Sequence, residues 1–264
     1  MFTSLDQATR WLETMLRQDL EEERSLLATV SMLSGKAQLA ATLRSLLADR
    51  QWVALAAAQS YAHPLGFDRL TLLSPRSYDC QLSLHVWWPD QETTVEDIHN
   101  HRFSFASVVL DGALEMQTFE HANDSVPMEE YQATPGNKVG ISQFRHVGDA
   151  SLDCTLNSRM PAGSGYYLSS RTLHRIMTSS DTELTATLFL RGPIMQPSTA
   201  VFSDPSIRHR PDIARPTMAP QSFGERVASY LEALEASGDT EPASASNRVG
   251  GVVRHGKNRL GVQR

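Results

Sequence analysis

The sequence predicts a mainly β protein, an antiparallel sandwich or barrel, with helices before it and one helix after it. Three observations support this prediction. Apolar residues recur at helical spacing near the N-terminus and again after Pro220. Between these regions, many short segments alternate apolar and polar residues, as half-buried strands do. Glycine, proline and asparagine separate these segments, which is typical of antiparallel sheets with short turns.

Residues 1–62 are predicted to form helices that pack on the barrel. Ser4 and Gln7 fit a capping box, in which side chains satisfy free backbone N–H groups of the first turn. Apolar residues then follow at helical spacing, first in residues 5–16 and again in residues 39–47. A short apolar stretch, residues 52–58, closes the region.

Residues 63–195 are predicted to form the barrel. Around residue 84, leucine and valine alternate with Ser83, His85 and Trp87, which indicates a strand with two different faces. Asp111-Gly112 follows the apolar segment 103–110 and predicts a tight hairpin turn. Further strands are expected at residues 130–133, 138–146, 153–158, 165–168 and 184–190.

The remainder of the chain is predicted to contain one helix. Residues 196–236 begin with an irregular, proline-rich part, and Ser222 and Glu225 then fit a second capping box. Apolar residues between Phe223 and Leu234 form the buried face of the expected helix. Residues 237–264 are expected to be a disordered basic tail.

Composition narrows the possible functions. The chain has 264 residues and a formal net charge of −6, which gives a nucleic-acid partner no global electrostatic support. No apolar run is long enough for a membrane span, so we expect a cytoplasmic protein without membrane contact. Two cysteines, Cys80 and Cys154, are too few for a disulfide framework and are interpreted as two buried thiols.

Three histidines are candidate ligands of a metal ion. His99 and His101 are two residues apart, so in a strand-like segment both side chains project to the same face. Neutral imidazoles at that spacing can bind one metal ion. His174 follows a later predicted strand and a polar turn, and would supply a third nitrogen ligand.

Two segments resemble the cupin superfamily. Residues 80–112 contain the histidine pair, a spacer and a hairpin glycine, as in the first cupin motif. Residues 165–175 end in Leu-His-Arg and resemble the second motif of thiol dioxygenases of the cysteine dioxygenase type. The resemblance implies a cupin-type β-barrel, or jelly roll, with His99, His101 and His174 as iron ligands. Phe105 and Ala106 occupy the positions where many cupins have a glutamate ligand, and thiol dioxygenases lack that glutamate too.

The resemblance also has departures. Cysteine dioxygenases carry Ser, His and Tyr where this chain has Thr187, Phe189 and Arg191, which disfavours a cysteine-specific enzyme. Arginine can hold a substrate carboxylate with its planar fork, so we take Arg191 and Arg102 as candidate catalytic residues. Tyr166 is a third candidate, although the sequence does not decide whether it or Tyr167 faces the cavity.

We therefore hypothesise an Fe(II)-dependent oxygenase that uses O2 on a small polar substrate, an amino-acid-derived thiol or amine. Three imidazoles leave open positions on the metal for both reactants. Two alternatives remain at this stage. One is a non-redox enzyme, an isomerase or lyase, with Zn, Ni or Mn as Lewis acid. The other is a barrel that binds a small ligand without catalysis. Under each of these hypotheses, the protein is a possible homodimer.

Overall fold

The structure is a computed structural model that describes residues 4–17, 21–89, 91, 95–136, 140–178, 182–206 and 211–236. The tail expected to be disordered, 237–264, lies outside these residues. Within the described residues, twelve strands form two six-stranded sheets, and five helices lie before and after them in the chain. None of the helices in the described ranges is long and apolar enough to cross a membrane.

The four N-terminal helices are α1 (Leu5–Leu16), α2 (Glu22–Leu33), α3 (Lys36–Ala48) and α4 (Arg50–Ala57). The Ser4 side chain accepts a hydrogen bond from the Gln7 N–H, which confirms the predicted N-terminal cap of α1. The C-terminal helix is α5 (Pro220–Ala236). It begins at Pro220, two residues before the predicted cap at Ser222, because proline is well suited to the first helical position.

Between β3 and β11 the chain passes repeatedly from one sheet to the other. Sheet A has the order β1-β2-β3-β10-β5-β8, and sheet B has the order β11-β4-β9-β6-β7-β12. Their bounds are β1 Tyr61–His63, β2 Phe67–Leu73, β3 Gln81–Trp87, β4 Ile98–His99, β5 Phe103–Asp111, β6 Ala113–Pro135, β7 Ile141–Pro161, β8 Gly165–Leu168, β9 Leu173–Thr178, β10 Thr185–Ile194, β11 Thr199–Ser203 and β12 Ile213–Ala214. All pairings are antiparallel, and the interleaved order β3-β10-β5-β8 against β4-β9-β6-β7 is that of a jelly roll. The predicted fold class is therefore confirmed.

Sheet A is buried on both faces, which explains its two-sided alternation. Leu82, Leu84 and Val86 of β3 belong to the core that the sheet shares with the helices. The residues between them, including Ser83 and His85, face the opposite sheet. Helix α5 closes the helical layer with Phe223, Val227, Tyr230 and Leu234. One face of sheet A thus packs against the helices, and the opposite face can contribute residues to a functional site.

Three sequence predictions are corrected by the structure. Asp111-Gly112 is not a hairpin turn, because β5 and β6 pair with other strands and lie in different sheets. Gly112 does have a positive φ of 69°, and it is the corner where the chain passes from sheet A to sheet B. The short strands expected between residues 113 and 161 are parts of two long strands, β6 and β7. Cys154 is exposed, and only Cys80 is a buried thiol.

Candidate metal centre and cavity

The three histidines predicted from the sequence come together between the sheets. His99 lies in β4 and is the register partner of His174 in β9, so the sheet itself places these two rings side by side. His101 follows β4 by two residues and joins them. One nitrogen of each ring lies within 4.8 Å of one nitrogen of each of the others. This is the only group of three or more candidate metal ligands within the ranges that the structure describes.

Backbone carbonyls fix the orientation of two of these rings. Nδ1 of His99 lies 2.9 Å from the carbonyl oxygen of Asp97, and Nδ1 of His174 lies 3.1 Å from that of Thr172. A carbonyl oxygen only accepts, so Nδ1 must donate in both pairs and the Nε2 lone pair remains free. Proteins commonly orient metal-binding histidines in this way. The arrangement fits a divalent transition metal, which neutral imidazole binds well.

Burial keeps the rings of His101 and His174 uncharged. Burial, followed by the neighbouring His99, lowers the pKa of His174 to about 3. Burial also lowers the pKa of His101 well below its usual value, with the two other histidines adding to the effect. Both rings are therefore neutral at pH 7, the form in which imidazole binds metal.

Gln196 ties the loop that carries His101 to the strand end near His174. Its side-chain nitrogen donates to the carbonyl oxygens of His101, at 2.6 Å, and of Ser170, at 3.0 Å. Its own carbonyl oxygen accepts from Nε of Arg102 at 3.3 Å. Arg102, a candidate catalytic residue, lines the cavity and contributes to this network.

A carboxylate that the sequence analysis did not identify lies beside the cluster. Oε1 of Glu96 is 3.8 Å from Nε2 of His99, and Oε2 accepts a 2.7 Å hydrogen bond from the backbone N–H of Ile176. The Glu96 side chain is only 15% exposed. Ile176 is two residues after His174 in β9, so one strand positions both the third histidine and this carboxylate. Glu96 precedes the histidine pair, whereas the cupin pattern places a glutamate after it.

The cluster opens into a cavity of about 870 Å³ between the two sheets. Aromatic rings form much of the wall near the histidines. The His101 ring lies 5.2 Å from Phe103 and 5.0 Å from Phe105, and Phe105 lies 4.5 Å from Phe189, all between ring centres. These apolar surfaces keep water away from one side of the site and favour a small substrate held by few polar groups.

Arg191 and Tyr166, the other candidate catalytic residues, also line the cavity. Arg191 is already engaged, since its Nη1 lies 2.8 Å from a carboxylate oxygen of Asp79. Burial raises the pKa of Tyr166 to about 12, so its hydroxyl remains protonated. Tyr167 points the other way, and its hydroxyl donates to Glu22 of α2 at 3.1 Å. The structure thus decides which tyrosine faces the cavity.

Polar residues far from the histidine motif also line the cavity. A row across sheet A runs from Tyr61 through Arg69 and His85 to Thr187, each the register partner of the next. Arg215, directly after β12, reaches the cavity from the edge of sheet B. Neither Arg69 nor Arg215 was predicted from the sequence as a site residue. Strand alternation around Arg69 was a usable signal, whereas Arg215 lies in an irregular segment without one.

No protein-family model matches this chain, and no curated protein matches it. Among solved structures, the chain resembles Fe(II)-HppE with an alternative substrate, (S)-1-HPP, at 9% identity over 47% of this chain and 49% of that one, with a TM-score of 0.29. It therefore spans about half the length of that protein.

Two further similarities involve proteins of different kinds. Oxalate decarboxylase of Bacillus subtilis, studied for its Mn(II) centres, is 14% identical over 60% of this chain and 30% of that one, with a TM-score of 0.31. CENP-C of Drosophila melanogaster, bound to CAL1, is 12% identical over 60% and 98%, with a TM-score of 0.29. Similarity at this level assigns no reaction or partner to the chain.

Proposed function

We propose that this protein is an Fe(II)-dependent oxygenase that acts on a small polar substrate. The observation that carries the proposal is the convergence of His99, His101 and His174 inside a cavity, with the rings of His99 and His174 oriented by backbone carbonyls. Ring nitrogens from three histidines within 4.8 Å of one another suit a shared metal ion, because neutral imidazole binds divalent transition metals well.

When bound, Fe(II) would supply open coordination positions for O2 and substrate and the electrons for oxygen activation. The protein's own residues then hold the reactants. The aromatic wall of Phe103, Phe105 and Phe189 excludes water from one side, and the cavity volume of about 870 Å³ limits the substrate to a small molecule. Tyr166 keeps its proton and is suited to donate a hydrogen bond to substrate.

The test is metal analysis of protein purified without chelators. We expect close to one iron per chain in the wild type and none in H99A, H101A or H174A. H146A is the matched control, because His146 pairs with Glu129 on the β6–β7 hairpin and should leave metal content unchanged. Oxygen consumption with small thiols and amines then tests the reaction.

Three results would contradict the proposal. Full metal occupancy in any of the three cavity variants would show that the ion binds elsewhere. Zinc, nickel or manganese in place of iron, with no oxygen consumption after iron loading, would point to Lewis-acid chemistry. Absence of metal under every loading condition would leave a ligand-binding barrel without catalysis.

A further inference from the structure

Two arginines at one end of the cavity have no acidic partner among the residues that the structure describes. Nη2 of Arg69 donates to Oε1 of Gln81 at 2.5 Å, and Nη1 donates to the Tyr61 hydroxyl at 3.4 Å. Arg215 donates from Nη1 to the Ser142 hydroxyl, and its Nε is buried without a hydrogen-bond partner in the described part of the chain. Within the same part, no carboxylate forms an ion pair with either guanidinium group.

The two charges lie at the same end of the cavity although they come from different sheets. The guanidinium carbon of Arg69 is 5.6 Å from the centre of the Tyr61 ring, and that of Arg215 is 6.0 Å from it. Arg69 belongs to β2 and Arg215 follows β12, so the pair faces the space between the open edges of sheets A and B. Both residues line the same cavity as the three histidines.

Neutral groups hold the arginines in place. Gln81, which accepts from Arg69, is itself fixed by a 3.0 Å hydrogen bond from its side-chain nitrogen to Oε1 of Gln59. The backbone N–H of Arg215 donates to the Gly140 carbonyl oxygen at 2.6 Å, and the N–H of Met218 donates to the Ser60 carbonyl oxygen at 2.8 Å. These bonds orient the side chain and backbone without neutralising either charge.

The positive potential extends to a neighbouring side chain. Burial, followed by the charges of Arg215, His99 and Arg69, lowers the pKa of His63 to about 3. Two guanidinium groups that line one cavity make that end of it positive, and planar guanidinium forks match carboxylate and phosphoryl oxygens.

We infer that Arg69 and Arg215 together form a subsite for a substrate carrying two negative charges, either as two carboxylates or as one doubly ionised phosphonate or phosphate group. This inference rests on the proposed function, because it names the substrate class of the same cavity. The aromatic wall and the histidine cluster would then face the uncharged, reacting part of the molecule.

The test is isothermal titration calorimetry at pH 8 with succinate, methylphosphonate and butyrate. Succinate and butyrate have the same number of carbons and differ by one carboxylate, so their ratio isolates the second charge. We expect at least one of the two dianions to bind at least tenfold more tightly than butyrate. R69M and R215M should each weaken that binding about 10- to 100-fold, as expected for loss of hydrogen bonds to a charged group.

Two control variants sharpen the test. R215K keeps the charge but not the planar fork and should retain more of the preference than R215M, whereas R24M removes one charge from the exposed surface of α2 and should change nothing. Equal binding of butyrate and both dianions, or unchanged dianion binding in R69M and R215M, would overturn the inference. Titrations repeated in H174A separate the two proposals, because the arginine subsite should still bind the dianion there without the metal.

Discussion

The two sheets contribute different chemistry to one cavity. Sheet B supplies His99 and His174, which are register partners, and the ring of His174 is uncharged at neutral pH. Sheet A supplies Arg69 within a row of polar residues on a wall otherwise rich in aromatic rings. We therefore expect sheet B to position the proposed metal, and sheet A, together with Arg215 at the edge of sheet B, to orient the substrate. The following predictions test this division.

The largest effect should come from sheet B. Replacing His174 by alanine removes one of three ligands, and we expect the affinity for Co²⁺ or Fe²⁺ to fall by at least about 1,000-fold, several kcal/mol. Competition with a chromophoric chelator measures this loss. H85A in sheet A should retain metal affinity because His85 lies outside the ligand group, and a comparable loss there would break the division.

The corner between the sheets should be the next most sensitive position. A Cβ atom at Gly112 would lie 2.8 Å from the carbonyl oxygen of Leu184, and the backbone there has a positive φ of 69°. We expect Gly112→Ala to lower the free energy of unfolding by about 2–4 kcal/mol. Urea denaturation measures this change in the free energy of unfolding. Gly163→Ala is the comparison, since it has a similar φ of 89° but open space around the added atom, and it should cost less.

Replacing Glu96, the carboxylate beside the histidines, should have an intermediate effect on metal affinity. Glu96→Gln keeps the shape of the side chain but removes the charge nearest to His99, so we expect metal affinity to fall about 10- to 100-fold. The same competition assay measures it. E129Q removes an equal charge from the β6–β7 hairpin and should have no effect. Equal affinity in E96Q and wild type would mean that Glu96 does not act on the metal.

The smallest expected effect is the contribution of His63 to the pH dependence of the free energy of unfolding. The pKa of His63 is about 3 in the folded protein against an ordinary value of 6.5, so the unfolded chain takes up its proton first as pH falls. The free energy of unfolding of the metal-free protein should therefore decrease as pH drops below about 6.5.

Replacing His63 isolates its contribution to the pH dependence of stability. The ring centres of His63 and Phe67 lie 4.3 Å apart in a stacked arrangement. His63→Phe can preserve this ring contact while removing the group that takes up the proton. Between pH 6.5 and 5.5 we expect the variant to lose about 1 kcal/mol less stability than the wild type. Denaturation curves at the two pH values measure the difference, and parallel losses in both proteins would exclude a role for His63.

Local patterns were sufficient to predict much of the fold. The alternation around residue 84 reflects a strand covered by helices on one face and by the other sheet on the opposite face. The 165–168 strand agrees with β8, because glycine and the polar turn bound it clearly. Strands β11 and β12 were missed, since both lie in a proline-rich region where pairing with distant strands determines the conformation.

The candidate site could be predicted where its residues lie in recognisable local motifs. His99 and His101 are two residues apart in one motif, and His174 lies in the separate segment 165–175. Glu96 depends on a hydrogen bond from Ile176, and Arg69 depends on the register that places it opposite His85. Such relations arise from strand pairing over long distances, which no local pattern contains. They are therefore visible only in the folded protein.

Strand β10 has a consequence for how this protein can diversify. Its side chains at Ala186, Leu188 and Leu190 pack on the helical layer, whereas Thr187, Phe189 and Arg191 face the cavity. Because neighbouring residues serve opposite faces, the cavity-facing positions can change ligand preference while the alternate positions preserve the support behind them. The jelly roll thereby separates the residues that selection can vary for recognition from those it must retain for folding.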